Sequence, residues 1–271
     1  MEPPHDLYQQ HYGSQADPVY QEIRAETYRE DMGQTGWLTV AELQSFLAAL
    51  QVTASCRVLE VACGAGGASM AIAHETGAHV VGVDASEAAV QAATATAAAE
   101  IHNDRVTFRV ADATRPLLFP DASFDVIFCN DAINHLGDRR AVLADWYRLV
   151  RPGGRLLYTD PVVVSGAVSA AEFAARSTIG EFVFMPRGEN ELLLGESGFR
   201  QVRSRDASDN IIEISRRWRD ARAWRRDELV ARESAEGFLA TQKFLNTVHR
   251  LAEEGRLSRY AFMGARPGDN P

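Results

Sequence analysis

The chain has 271 residues, 46% of them hydrophobic and 24% charged, which is ordinary globular composition and enough to bury a core in one large α/β domain or two small ones. A formal net charge of −9 leaves no excess of cations to replace the counterions of nucleic acid, so small-molecule chemistry is the better starting point. Three cysteines, Cys56, Cys63 and Cys129, are an odd number without a CxxC pair. They support neither a disulfide framework nor a zinc site.

The opening MEPPHDLYQQ carries no apolar signal region, and no run approaches the roughly 20 apolar residues of a membrane span. The expectation is a cytoplasmic protein, monomeric or homodimeric, without membrane or nucleic-acid partners. The first 35 residues are polar, carry tyrosines at 8, 12, 20 and 28, and predict one or two short helices. Residues 38–50 have helical spacing, with Thr39 as N-cap and Glu42 three residues later.

A regular alternation follows. RVLEVA (57–62) predicts a buried strand, ASMAIAHETG (68–77) a helix stopped at Gly77, and HVVGVD (79–84) a second strand. A helix capped by Ser86 is predicted over 86–101, then strands over 105–112 and 123–130, a helix over 138–150 and a strand over 155–162. Strands alternating with helices imply right-handed crossovers and a mostly parallel, doubly wound, Rossmann-like sheet. Later segments predict helices at 168–180 and 189–198, strands at 199–208 and 256–267, and an arginine-rich helical insertion over 209–254. The expected organisation is an N-terminal helical lid (1–50), a core (51–208 and 256–267) and a cap (209–255).

Parallel sheets bind ligands at the carboxyl ends of their strands. The turn after the first strand, VLEVACGAGGAS (58–69), is therefore the first candidate site. A dinucleotide pattern GxGxxG laid on Gly64, Gly66 and Ser69 fails at its third glycine. The pattern acidic-x-Gly-x-Gly-x-Gly fits Glu60, Ala62, Gly64 and Gly66 with one replacement, at Ala62. A carboxylate beside the turn repels a pyrophosphate and favours a ligand with an ammonium group. Asp84, with Ala85 after it, ends the second strand and suits the two hydroxyls of a ribose. Asp112 ends the third and suits an exocyclic adenine amine, with the N–H of Ala113 beside it. Together these describe an adenosine with a cationic or zwitterionic tail and no phosphates.

The ordered series VLEVACGAGG, VVGVDAS, VADAT, FDVIFCNDAINHL and LVRPGGRLLYTD resembles that of class I S-adenosylmethionine-dependent methyltransferases over residues 36–162. The resemblance implies a seven-stranded sheet with an antiparallel last strand and S-adenosylmethionine as cofactor. It implies that Glu60 and residues 62–66 hold the methionine part, Asp84 the ribose, and Asp112 and Ala113 the adenine. The backbone around Asn130 and Asp131 would face the sulfonium. NDAINHL (130–136), with DASDNIIEI (206–214), is similar to phosphoethanolamine and glycine-betaine-type N-methyltransferases, whose DAxxH stretch matches Asp131 and His135. Pro161 after the fifth strand and the lack of a compact Lys/Arg/Tyr phosphate nest depart from that narrower group.

The acceptor is expected near NDAINHL. If that segment is helical, Asp131 and His135 share a face, and the aspartate holds the imidazole as a general base or acceptor-orienting group; the alternative is that His135 packs under the cofactor loop and satisfies a backbone group. Tyr12, Tyr20 and Tyr28 are candidates to line the site from the lid, or rings that pack a helix onto the domain. The arginines at 216, 217, 219, 222, 225 and 226 lie among Asp220, Asp227 and Glu228 and read as a solvated face with intrahelical ion pairs. No histidine pattern calls for a metal. Methyl transfer to a small N or O acceptor is the leading function. A non-methylating step such as cyclisation on the same fold, an NAD-dependent oxidoreductase and a non-catalytic nucleotide-binding module are the alternatives.

Overall fold

A computed structural model describes residues 17–99, 103–178 and 180–268. Its centre is a sheet in the order β3-β2-β1-β4-β5-β8-β7. The strands are β1 (Arg57–Val61), β2 (His79–Asp84), β3 (Val106–Val110), β4 (Phe124–Cys129), β5 (Val150–Val164), β7 (Arg200–Asp206) and β8 (Leu257–Ala265). A two-residue strand, β6 (Met185–Pro186), pairs with the far end of β5 at Val163 and Val164. The first five strands are mutually parallel, while β8 runs antiparallel between β5 and β7. The chain thus leaves β1 toward β2 on one side and returns to β4 on the other. That reversal opens a crevice at the carboxyl ends of β1 and β4.

β1 after Arg57 and the whole of β4 are buried, the charged Glu60 and Asp125 among their apolar residues included. One side of the sheet packs Trp146, Leu143 and Phe199 from helices α5 (Arg139–Leu149) and α7 (Glu189–Glu196) and the segment after α7. The other side packs Leu43, Phe46 and Leu50 of α2 (Val40–Leu50) with Ile72 of α3 (Gly67–Thr76). Helix α4 (Glu87–Ala99) is capped by Ser86, whose hydroxyl accepts from the Ala89 N–H. Helix α2 is capped by Thr39, as its sequence indicates. The β5 strand outruns the predicted 155–162 at both ends because Val150 pairs with Phe124 of β4, and Val163 and Val164 pair with β8 and β6.

A second layer stands over the carboxyl ends of the strands. Helix α1 (Pro18–Tyr28) packs against α8 (Ser208–Trp224) and α9 (Arg226–Glu253). This layer has its own apolar clusters: Val19 and Ile23 with Leu229 and Phe238, and Tyr28 and Trp37 with Ile211, Ile214 and Phe244. The arginine face is divided between two roles. Arg216, Arg217 and Arg219 pair with Glu213 or Asp220 of their own helix. Arg222 instead reaches Glu233, and Arg225 reaches Glu22 and Glu26 of α1, so those two join elements. The short helix α6 (Ala170–Arg176) lies between β5 and β6, closed at its N-terminus by a Ser169–Glu172 capping box.

Candidate active site

The turn after β1 is built to bring backbone close to whatever lies in the crevice. Ala62, Gly64 and Gly66 all have positive φ, at 57°, 53° and 80°. A side chain at Gly66 would strike the Phe108 ring and Ala93, so glycine is required there twice over. Gly66 caps α3 with no side-chain hydrogen bond, which leaves the positive end of the helix facing the crevice. Glu60 sits beneath, 3% exposed, accepting a short hydrogen bond from the Ser69 hydroxyl. Burial pushes its carboxyl up to about 8; the Ser69 hydroxyl and N–H oppose the shift, and the charge of Asp84 adds to it.

Asp84, at the end of β2, accepts from the Gly64 N–H at 2.8 Å through one oxygen and from the Ser86 N–H at 2.8 Å through the other. It locks the glycine turn to the neighbouring strand, with Ala85 exposed beside it. Asp112 lies beyond β3, exposed, accepting from the N–H and hydroxyl of Thr114, which hold its pKa below the ordinary value. Ala113 is half-buried next to it. The fold therefore brings the ends of three successive strands, with their three carboxylates, along one edge of the crevice.

Across the crevice, at the end of β4, lies a buried polar network that sequence reasoning missed. The centre is Arg259 of β8, which is fully buried. Its guanidinium donates to Glu42 of α2 through both carboxylate oxygens at 2.8 Å, to Asp131 at 2.7 Å and to the Asn130 side chain at 3.1 Å. The buried Thr159 hydroxyl accepts from the Asp131 N–H at 2.7 Å and lies 2.7 Å from the Asp131 carboxylate. The second Asp131 oxygen accepts from the Trp37 N–H at 2.9 Å. A single arginine in LSRYAFMGA (257–265) is the signal that was available, since a charge inside a central strand demands carboxylate partners.

Asp131 thereby ties down a strap, residues 30–38, that crosses the crevice from α1. The Tyr28 hydroxyl donates to the Gly36 carbonyl at 2.8 Å. Gly36 itself passes so near Asn130 and Asp131 that a Cβ would lie 3.2 Å from each side chain. At the other end, a Cβ on Gly67 would fall 1.9 Å from the Met32 carbonyl oxygen. The strap therefore rests on the first residue of α3, next to the glycine turn.

The expected Asp131–His135 face does not form, because residues 130–136 are not an α-helix. Asp131 is left-handed at φ 52°, and only Ile133–His135 makes a single 3-10 turn. Asp131 is committed to Arg259, Thr159 and Trp37, whereas His135 Nδ1 lies 2.9 Å from the Glu181 carbonyl. A carbonyl accepts only, so Nδ1 carries the proton and Nε2 is the ring's accepting nitrogen. Burial lowers the His135 pKa; the Glu181 contact opposes this and the Arg176 charge adds to it, so the imidazole is neutral at pH 7. The ring leans on Phe182 with centroids 4.6 Å apart.

Of the tyrosines, Tyr28 is buried under the strap, and Tyr20 donates to Glu233 of α9 at 2.6 Å, where it joins α1 to α9. Tyr12 lies outside the described residues. Among the described residues no group of three His, Cys, Asp or Glu side chains could hold a metal ion, and no helix is long and apolar enough to cross a membrane.

Comparison with known proteins adds to this geometry. A family model described as "Methyltransferase domain" matches residues 53–191, just over half of the chain. The O-methyltransferase resE of Aspergillus sclerotiorum is 30% identical over 168 residues, covering 62% of this chain and 63% of that protein. Phosphoethanolamine N-methyltransferase 3 of Arabidopsis thaliana is 28% identical over 211 residues, covering 78% of this chain and 42% of its own length. The chain thus spans less than two thirds of either relative. The solved cyclopropane synthase MmaA2 of Mycobacterium tuberculosis superposes over 98% of this chain and 99% of its own, with a TM-score of 0.80 at 18% identity. That last likeness is one of fold.

Proposed function

The chain belongs to the methyltransferase domain family, and on that premise we propose that it transfers a methyl group from S-adenosylmethionine to a small-molecule acceptor. The observation that carries the reading is the buried Glu60 beside a helix N-terminus without a side-chain cap at Gly66 and a turn of three positive-φ residues. A carboxylate in that position has no use for a phosphate and suits a ligand that brings an ammonium and a carboxylate together. The donor set fits the rest of the molecule. Asp84 stands at the end of β2 where a ribose would lie, and Asp112 faces solvent where an adenine amine can reach it.

When bound, S-adenosylmethionine supplies an electrophilic methyl group whose bonding pair stays with sulfur on transfer. The protein's own part is positioning and proton removal. Glu60 and the α3 N-terminus hold the amino-acid end. Asn130 and Asp131, braced by Arg259 and Thr159, fix the backbone at the β4 side. The strap and the layer of α1, α8 and α9 act as the lid and cap that keep water out. His135, neutral and held in one tautomer, takes the acceptor's proton. A place in small-molecule biosynthesis in the cytoplasm belongs to the same proposal.

Calorimetric titration with S-adenosylmethionine and S-adenosylhomocysteine tests this. Micromolar binding is expected, lost in Asp84→Ala, which frees the glycine turn as well as removing the diol acceptor. Folded wild-type protein that gives no heat with either ligand would overturn the reading.

A further inference from the structure

We propose that Arg139 is a positioning residue for His135: its buried guanidinium bridges Asp160 and Asn190 to the Val183 carbonyl, and so holds residues 181–186 where the Glu181 carbonyl fixes the imidazole. This rests on the methyl-transfer reading, which makes His135 the base, and adds a residue that aims it. Residues 181–188 contain no regular structure except the two residues of β6. Nothing local therefore places the Glu181 carbonyl, which lies 2.9 Å from His135 Nδ1. Long-range fastenings do so instead. The Val183 N–H donates to the Asn134 carbonyl at 2.7 Å, and the Val183 carbonyl accepts a long hydrogen bond from Arg139 Nη2 at 3.5 Å. Both polar groups of one residue are thus gripped from either side of His135 in the chain. The Arg187 N–H then donates to the Val164 carbonyl at 3.2 Å, next to the pairing of β6 with β5.

The other end of the bridge is a cluster of Arg139, Tyr158, Asp160 and Asn190, all buried. Arg139 Nη1 donates to the Asp160 carboxylate, and to the Asn190 side-chain oxygen at 2.6 Å. The Asn190 amide donates to the same carboxylate at 3.1 Å, and the Tyr158 hydroxyl to Asn190 at 3.1 Å. The second Asp160 oxygen accepts from the Val162 N–H at 3.1 Å. The first turn of α7, just beyond β6, is thereby locked to β5 and to the start of α5. An ion pair this deep adds little stability over an apolar pair of the same volume, because desolvation offsets the attraction. Placement is what it supplies. A guanidinium is a rigid planar fork, and here Nη1 takes the carboxylate and amide while Nη2 takes the backbone of the segment that meets His135. Arg139 Nε is buried without a hydrogen-bond partner, a cost borne so that both Nη atoms reach theirs.

Arg139→Met alone would strand the Asp160 charge, so the test joins it to Asp160→Asn, which leaves an amide for Asn190 and Val162. Proton–nitrogen NMR of the full chain, carrying isotope-labelled histidine and no cofactor, reads the His135 Nδ1–H as a slowly exchanging downfield resonance. Its absence from His135→Gln identifies it. The expected result is loss of that resonance in the double variant, with S-adenosylhomocysteine affinity within about twofold of wild type. Arg148→Gln, on the same helix but tied to Asp121 and Asp145, should keep the resonance even where its Tm falls as far. If the double variant does not fold, Arg139→Lys keeps the charge without the two-way fork and should lose the resonance too. A resonance absent from the wild type, retained in either folded Arg139 variant, or lost in Arg148→Gln as well overturns the proposal. If S-adenosylhomocysteine binds normally in that case, the positioning role alone is wrong. If it does not bind the wild-type protein, the methyl-transfer reading falls, and the resonance still decides whether Arg139 places the ring.

Discussion

Glu60 makes the sharpest prediction, because its protonation reports what sits beside it. Burial places its pKa at about 8 in the unliganded protein, so about 0.9 of the molecules carry the proton at pH 7. A ligand ammonium set against it stabilises the ionised form, and binding must expel that proton. Calorimetry at pH 7 in buffers of different ionisation enthalpy should therefore record release of about 0.9 proton per S-adenosylhomocysteine bound. Affinity should rise about tenfold from pH 6 to pH 7, which is about 1.4 kcal/mol. Glu60→Gln should abolish both effects while binding more weakly.

The stability of the unliganded protein carries the opposite sign. From about 4.5 to about 8 the folded state holds a proton that the unfolded state has lost. The Glu60 contribution therefore declines as pH rises through that window. Ligand uptake with no proton release at pH 7, in wild type and variant alike, would refute the placement of an ammonium beside Glu60.

Gly67→Ala tests the strap. The new methyl group would meet the Met32 carbonyl at 1.9 Å, so the strap must retreat by about 1 Å or more, and turnover should fall by up to about 100-fold with little change in Tm. Gly137→Ala, which meets nothing within 4 Å, is the matched control. His135→Ala should leave S-adenosylhomocysteine affinity unchanged and reduce turnover about 10²- to 10⁴-fold. In the parent, the rate should fall as pH drops through an imidazole pKa below its usual value. Arg259→Met strands the buried Glu42 and Asp131 carboxylates and should cost about 3–5 kcal/mol in urea unfolding. Arg216→Ala, on an exposed helix face, should cost under about 1 kcal/mol.

The alternation of β1 to β5 with their helices was legible because each signal is local. Apolar runs, Thr39 and Ser86 as caps, and Gly77 as a stop bring their own backbone preferences to any context. The placement of Glu60, Asp84 and Asp112 followed from the same pattern, since a strand's carboxyl end is known once the strand is.

Long-range pairing lay outside that pattern. An i, i+4 spacing put Asp131 and His135 together, but a buried arginine 128 residues further along claimed Asp131 first. The backbone there turned left-handed to deliver it. The arginine run looked like one solvated face, yet Arg222 and Arg225 bind residues of other helices.

By itself the sequence determined the order of the strands along the chain, the glycine turn and the acidic residues at the crevice edge. It did so through hydrophobic periodicity and backbone conformation, which act between neighbours. The tertiary structure alone decided which carboxylates meet a cation, which tautomer His135 holds and where the strap lies. Those outcomes depend on burial: a charge taken out of water is satisfied by the partner that packing brings to it, at whatever distance along the chain that partner lies.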